Sequence, residues 1–106
     1  MAEPRYRPRD MAVHDGLFGA GHEIEWRKDA PEDLVLASKL QHAVAGLVLM
    51  HLRKTKTTRA AYGRLAQSTP SRIGALLRGD QPMRLDDIAA AARIVGFKLT
   101  RLVLPG

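Results

Sequence analysis

The stretch LAQSTPSRIGALLRGD, Leu65 to Asp80, holds the strongest constraint on what this chain can fold into. Pro70 has no N–H to give a helix, and its ring disfavours the α conformation in the residue before it. A helix arriving from the N-terminal side therefore cannot run past Thr69. The same proline suits the first position of a new helix, with Thr69 as its cap. Ile73, Leu76 and Leu77 then recur at helical spacing, and Gly79 after Arg78 can take the positive φ that ends a helix. Upstream, Thr57 or Thr58 can cap a short helix whose inner stripe is Ala61, Tyr62, Leu65 and Ala66. Two short helices meeting at a sharp break are thus expected.

Longer helices are expected on both sides. Pro31, Glu32 and Asp33 suit a helix start, and Arg53, Lys54 and Lys56 suit the negative end of its dipole. Between them Leu34, Ala37, Leu40, Val44, Leu47 and Val48 recur with helical period, which predicts a helix over 31–54. Gly46 weakens it or lets another helix pack closely. A fourth helix is predicted from Leu85 to Val95, with Asp86 and Asp87 in its first turn, Ile88, Ala91, Ala92 and Val95 on one face, and Gly96 as its stop. The tail FKLTRLVLPG groups Leu99, Leu102 and Val103 if helical. Bounded by Gly96 and Pro105, it reads better as a strand. Residues 1–30 hold Pro4, Pro8, Gly16, Gly19 and Gly21 with little periodicity. They read as an arm with weak local order, in which HEIEW alternates like a short strand. The expected organisation is a partly ordered arm, 1–30, followed by one helical domain, 31–106.

The 106 residues suit one domain with one modest core. Aromatics are only 5%, so that core must rest on Leu, Val, Ile and Ala. There is no cysteine, which excludes a disulfide framework and thiolate metal sites and agrees with a reducing compartment. The apolar run Ala43–Met50 is too short to span a bilayer, and MAEPRYRPRD lacks the apolar run of a secretion signal. A cytoplasmic location with no membrane partner is expected. The net charge of +6 is unevenly spread. Residues 1–33 carry five basic and eight acidic side chains, whereas residues 34–106 carry twelve basic and three acidic. A basic half of this kind attracts polyanions and gains affinity by releasing their counterions.

Two short helices joined by a tight turn in a small basic domain define a helix-turn-helix. From about Thr58 to Leu99 the chain resembles the lambda-repressor-like, or XRE-type, helix-turn-helix family. The matching residues are TRAAYGRLAQSTPSRIGALLRGD and MRLDDIAAAARIVGFKL. They include the small residue within the first motif helix (Gly63), the polar cap (Thr69), the inner apolar residue (Ile73), the terminal Gly79, and LDDIAAAARIVG for the following helix. Gln67 stands where the family usually carries a glycine, and Ser68 where an apolar residue is common. Positive φ costs a non-glycine residue energy, so the departure implies a wider turn or another angle between the helices. The resemblance implies an all-α fold, a compact bundle of four to five helices, with a C-terminal strand available for dimerisation.

The resemblance also implies that the N-terminal end of the second motif helix enters the major groove of double-stranded DNA. The groove-facing positions then fall on Pro70, Ser71, Arg72, Gly74 and Ala75. Ser71 and Arg72 can hydrogen-bond to base edges, and Pro70 and Ala75 can touch a thymine methyl. Arg72 reads equally as a phosphate contact or a solvated charge. Thr58 and Arg59 open the first motif helix, where N–H groups and a cation can hold a phosphate. Thr69, Arg78 and Arg84 flank the second, and Lys54 and Lys56 sit in the preceding loop. A homodimer on a palindromic site is implied. Two surfaces offer themselves: the segment Phe97–Leu104, placed as in antitoxins of the HigA and HipB kind, and the outer face of the first long helix, with Val35, Leu36, Leu49 and Met50.

No catalytic constellation is present. His14, His22, His42 and His51 have no acid or cysteine at ligand spacing and read as surface polar groups. GLFGAGHE lacks the strand before it that a phosphate loop needs. Ser68 and Ser71 have no activating base nearby. Neither an enzyme nor a cofactor is expected. The leading function is a sequence-specific transcriptional regulator, a repressor in type. The alternative is an antitoxin whose acidic arm folds onto a toxin protein while its DNA binding serves autoregulation. A third is an architectural DNA binder that bends without operator preference.

Overall fold

A computed structural model describes residues 6–99. Four helices follow two short 3-10 turns, Pro8–Met11 and Asp15–Leu17. The helices are α1 (Glu32–Thr55), α2 (Arg59–Leu65), α3 (Pro70–Arg78) and α4 (Leu85–Val95). The described residues form a compact all-α fold without a named strand. The break at Pro70 stands where expected, and α4 has the expected bounds. Phe97, Lys98 and Leu99 have no regular structure, and the remainder of the expected strand Phe97–Leu104 lies outside the described residues.

The core gathers Phe18 from the N-terminal segment, Val44, Ala45, Val48 and Leu52 from α1, Tyr62 from α2, Ile73 and Leu77 from α3, and Ala91 from α4. Two expected stripes need correcting. Helix α1 turns a different face inward: Val35, Ser38, Gln41, His42, Val44, Ala45, Val48 and Leu52 are buried, while Leu40 and Leu47 are exposed. Apolar residues surround much of α1, so period alone could not select the inner face, and its inner polar side chains are hydrogen-bonded. Leu65, at the end of α2, is likewise exposed. Length and composition alone would allow α1 to cross a membrane, but 39% of its apolar window is buried inside this fold.

Gln41 is the chief of those inner polar groups. Its Nε2 donates to the carbonyls of Leu76 and Gln81, each at 2.9 Å, and its Oε1 accepts from the Met83 N–H at 2.7 Å. One α1 side chain thus satisfies the end of α3 and the loop leading to α4.

The N-terminal segment is built in more firmly than its composition suggested. Pro8, Met11, Ala12 and Phe18 are buried. The expected strand HEIEW is reduced to a single antiparallel bridge between Ala12 and Trp26. His42, read as a surface group, is buried: its Nδ1 accepts from the Gly19 N–H at 2.8 Å and its Nε2 donates to the His22 carbonyl at 2.7 Å. Phe18 and Trp26 pack edge-on against its ring, both with centroids 5.5 Å away. Gly46 permits the close approach expected of it, but to this segment rather than to a helix: a Cβ there would stand 2.9 Å from the Gly21 Cα.

Gln41→Ala would leave the Gln81 carbonyl and the Met83 N–H without their partner, while the Leu76 carbonyl would keep only the Gly79 N–H at 3.3 Å. We expect a loss of about 3 kcal/mol in unfolding free energy by urea denaturation, a cost in the range for orphaned buried polar groups.

Candidate nucleic-acid interface

The turn between α2 and α3 is closed by backbone geometry. The Ser68 N–H donates to the Gly63 carbonyl at 2.7 Å, and the Gln67 N–H to the Arg64 carbonyl at 3.2 Å. This pair of bonds requires a left-handed residue just past the helix, and Gln67 takes it with φ 56°. Gln67 therefore does the work of the absent glycine at a cost of about 1 kcal/mol. Gly63 makes room for the chain's return, since a Cβ there would stand 2.9 Å from the Ser68 carbonyl oxygen. The chain ends α1 the same way, with Lys56 left-handed at φ 54° and the Thr57 N–H on the Leu52 carbonyl.

Both motif helices carry the expected threonine caps. Thr58 Oγ1 accepts from the Ala61 N–H and Thr69 Oγ1 from the Arg72 N–H, each at 3.1 Å. Pro70 occupies the first turn of α3. Ile73, Leu76 and Leu77 are buried as predicted, so the opposite face presents Ser71, Ala75 and Arg78 at i, i+4 and i+7. Ser71 is exposed, and Ala75 is half-buried. The Arg78 guanidinium folds back over Gly74, where a Cβ would come within 2.9 Å of one of its nitrogens. Its Nε donates to Asp80 at 2.9 Å, and Asp80 also accepts from Arg9 at 3.0 Å. Those two guanidinium groups, Arg9 first, hold the Asp80 carboxyl below the usual carboxylate range.

Arg72 is placed differently from the sequence expectation. Its two terminal nitrogens donate to the two carboxylate oxygens of Asp87, both at 2.7 Å. The side chains are only 27% and 12% exposed, so the guanidinium is committed to the α3–α4 contact rather than to the outer face. Asp87 also accepts from the Arg84 N–H at 2.8 Å, which caps α4. Burial would push the Asp87 carboxyl up; the Arg72 guanidinium and the Arg84 N–H outweigh it and hold the carboxyl below its ordinary value of 3.8. In sequence, Asp87 read only as a helix-start residue, and nothing in the spacing linked it to Arg72, fifteen positions away. Arg84 itself is exposed, with its Nε 3.4 Å from Asp86.

The arrangement therefore brings together Thr58, Arg59, Thr69, Pro70, Ser71, Ala75 and Arg78 on the helix-turn-helix unit, and withdraws Arg72 into its support. Arg59 and Arg64 are exposed on α2, and neither has an ion-pair partner among the described residues. Arg93 of α4 donates to the Leu65 carbonyl at 2.8 Å, closing the end of α2. Comparisons with known protein families, curated proteins and solved structures give no significant match.

Because its carboxyl titrates lower in the fold than in the unfolded chain, Asp87 stabilises at pH values above 3.8, and that contribution is lost as pH falls through the depressed value. Asp87→Asn should cost about 2–3 kcal/mol at neutral pH. The difference from the native chain should shrink as acid titrates the native carboxylate, as followed by thermal melts across the acid range.

Proposed function

We propose that this protein is a sequence-specific DNA-binding regulator of the lambda-repressor-like type, acting as a homodimer in the cytoplasm. The observation that carries the reading is the unit Arg59–Leu65 and Pro70–Arg78. Its turn is fixed by Gly63 and left-handed Gln67, and α3 turns Ser71, Ala75 and Arg78 away from the core. The small side chains of Ser71 and Ala75 let the backbone of α3 approach a base-pair edge closely, and Thr69 and Pro70 lead that end of the helix. Arg78, lying along the same face, is the cation best placed to reach a guanine edge, and it carries the reading role in place of Arg72. Arg59 at the start of α2 serves the phosphate backbone, where exposed N–H groups and a cation coincide. The excess of basic residues in the 34–106 half supplies the non-specific attraction.

The experiment is selection of bound fragments from a random duplex library at physiological salt. Enrichment of a two-fold-symmetric site supports the reading, and recovery of unenriched sequence contradicts it. We expect Arg78→Ala to relax preference at defined positions, at about 1–3 kcal/mol of discrimination. Arg59→Ala should weaken binding to all sequences alike and lower the salt slope by about 1, as measured by titrations at several salt concentrations.

A further inference from the structure

Helix α1 carries a second apolar stripe that the fold leaves uncovered. Leu36, Leu40, Leu47 and Met50 are 57%, 45%, 39% and 50% exposed, and Ala43 lies exposed among them. Their spacing alternates four and three residues, which places all five on one side of the helix, opposite Gln41, Ala45, Val48 and Leu52. This is the seam spacing of paired helices, sustained over about 21 Å of α1. Ala43 is its centre and its narrowest point. Alongside runs a groove of about 550 Å³, walled by Ala43, Gly46, Leu47 and Met50 on α1 and by Ile24 and Trp26 of the N-terminal segment.

The ends of the stripe carry opposite charges. Glu32 and Asp33 stand at its start, and Arg53 and Lys54 at its finish. Among the described residues none of the four has an ion-pair partner within its own chain. The positions are also symmetric about Ala43: Leu36 and Met50 lie seven residues to either side, and Glu32 and Lys54 eleven.

We infer that this face pairs with a second copy of the chain, α1 against α1 in antiparallel, on a two-fold axis at Ala43. Leu36 then meets Met50 of the other copy, Leu40 meets Leu47, and the two alanines let the helices approach closely at the crossing. The acidic start of each helix meets the basic end of the other, which a parallel pair would oppose with like charges. Leucines at the near end of the other helix fill the groove beside Ile24 and Trp26. The interface is isologous, as a two-fold dimer requires. The inference does not rest on DNA binding, since it concerns the opposite side of α1 from α3 and is tested without DNA.

The chain has no cysteine, so single-cysteine variants of the full protein report the pairing directly. Under mild oxidation Ala43→Cys should cross-link to a covalent dimer. Leu36→Cys alone should stay uncross-linked, yet cross-link when mixed with Met50→Cys. In sedimentation, Leu40→Glu combined with Leu47→Glu should weaken self-association at least tenfold while leaving helical circular dichroism intact. Both positions are exposed, so the fold does not need them. Glu32→Lys with Asp33→Lys should weaken the dimer, and adding Arg53→Glu with Lys54→Glu should restore it. Any of several results would overturn the inference: a native chain that sediments as a monomer at all concentrations, a dimer indifferent to the Leu40 and Leu47 changes, or self-cross-linking of Leu36→Cys. Flotation of a monomeric chain with lipid vesicles, abolished by the same two glutamates, would overturn it too and assign the face to a membrane surface.

Discussion

The bidentate pair between Arg72 and Asp87 decides how the rest of the helix-turn-helix unit can be used. Arg72 lies in the first turn of α3, and Asp87 in the first turn of α4. Two parallel charge-assisted hydrogen bonds fix the angle as well as the distance between the two starts. The same carboxylate caps α4 through the Arg84 N–H, so one acidic side chain sets the entry of one helix and the position of another. A part-buried ion pair of this kind is weak evidence for stability, because desolvation offsets much of its attraction. Its worth here is orientation: the outer face of α3 is presented at one angle.

Three polar groups hold the surrounding structure in a similar manner. Gln41 satisfies the end of α3 and the following loop from within α1. His42 clips the N-terminal segment to the same helix through Gly19 and His22. Asp80 joins Arg9 of that segment to Arg78 of α3. The segment that carries Phe18 into the core is thereby tied to the face proposed to meet DNA. A core poor in aromatic rings leans on such directional contacts to choose one arrangement of its helices.

Much of the helical framework was legible in the sequence because its signals are local. Pro70, Thr58, Thr69, Gly79 and Gly96 act on the residues beside them, and the helix limits follow. The inner face of α3 followed from Ile73, Leu76 and Leu77, where polar residues oppose apolar ones. The inner face of α1 did not, because leucines on its outer side carried the expected stripe while Ser38, Gln41 and His42 went inside. Ser38 turns back on the Leu34 carbonyl of its own helix, but the partners of Gln41 and His42 lie twenty or more positions away, and spacing along the chain carries no sign of them. Gln67 shows the same limit in a turn: side-chain identity argued for a wider loop, whereas the backbone bonds of Ser68 and Gln67 made positive φ acceptable. Arg72 was legible as a cation at the right place, but its commitment to Asp87 needed the third dimension.

The outer face of α3, steadied by Arg72 and Asp87, is the surface we propose to meet DNA. Amide chemical-shift mapping tests it most directly, by titrating the labelled protein with a library-selected duplex at physiological salt. Shifts are expected to concentrate at Thr58 and Arg59 and from Thr69 to Arg78, with the amides of Ile73, Leu76 and Leu77 moving less than those of Ser71, Ala75 and Arg78. Shifts confined to the outer face of α1 or to the N-terminal segment, with α3 unmoved, would contradict it.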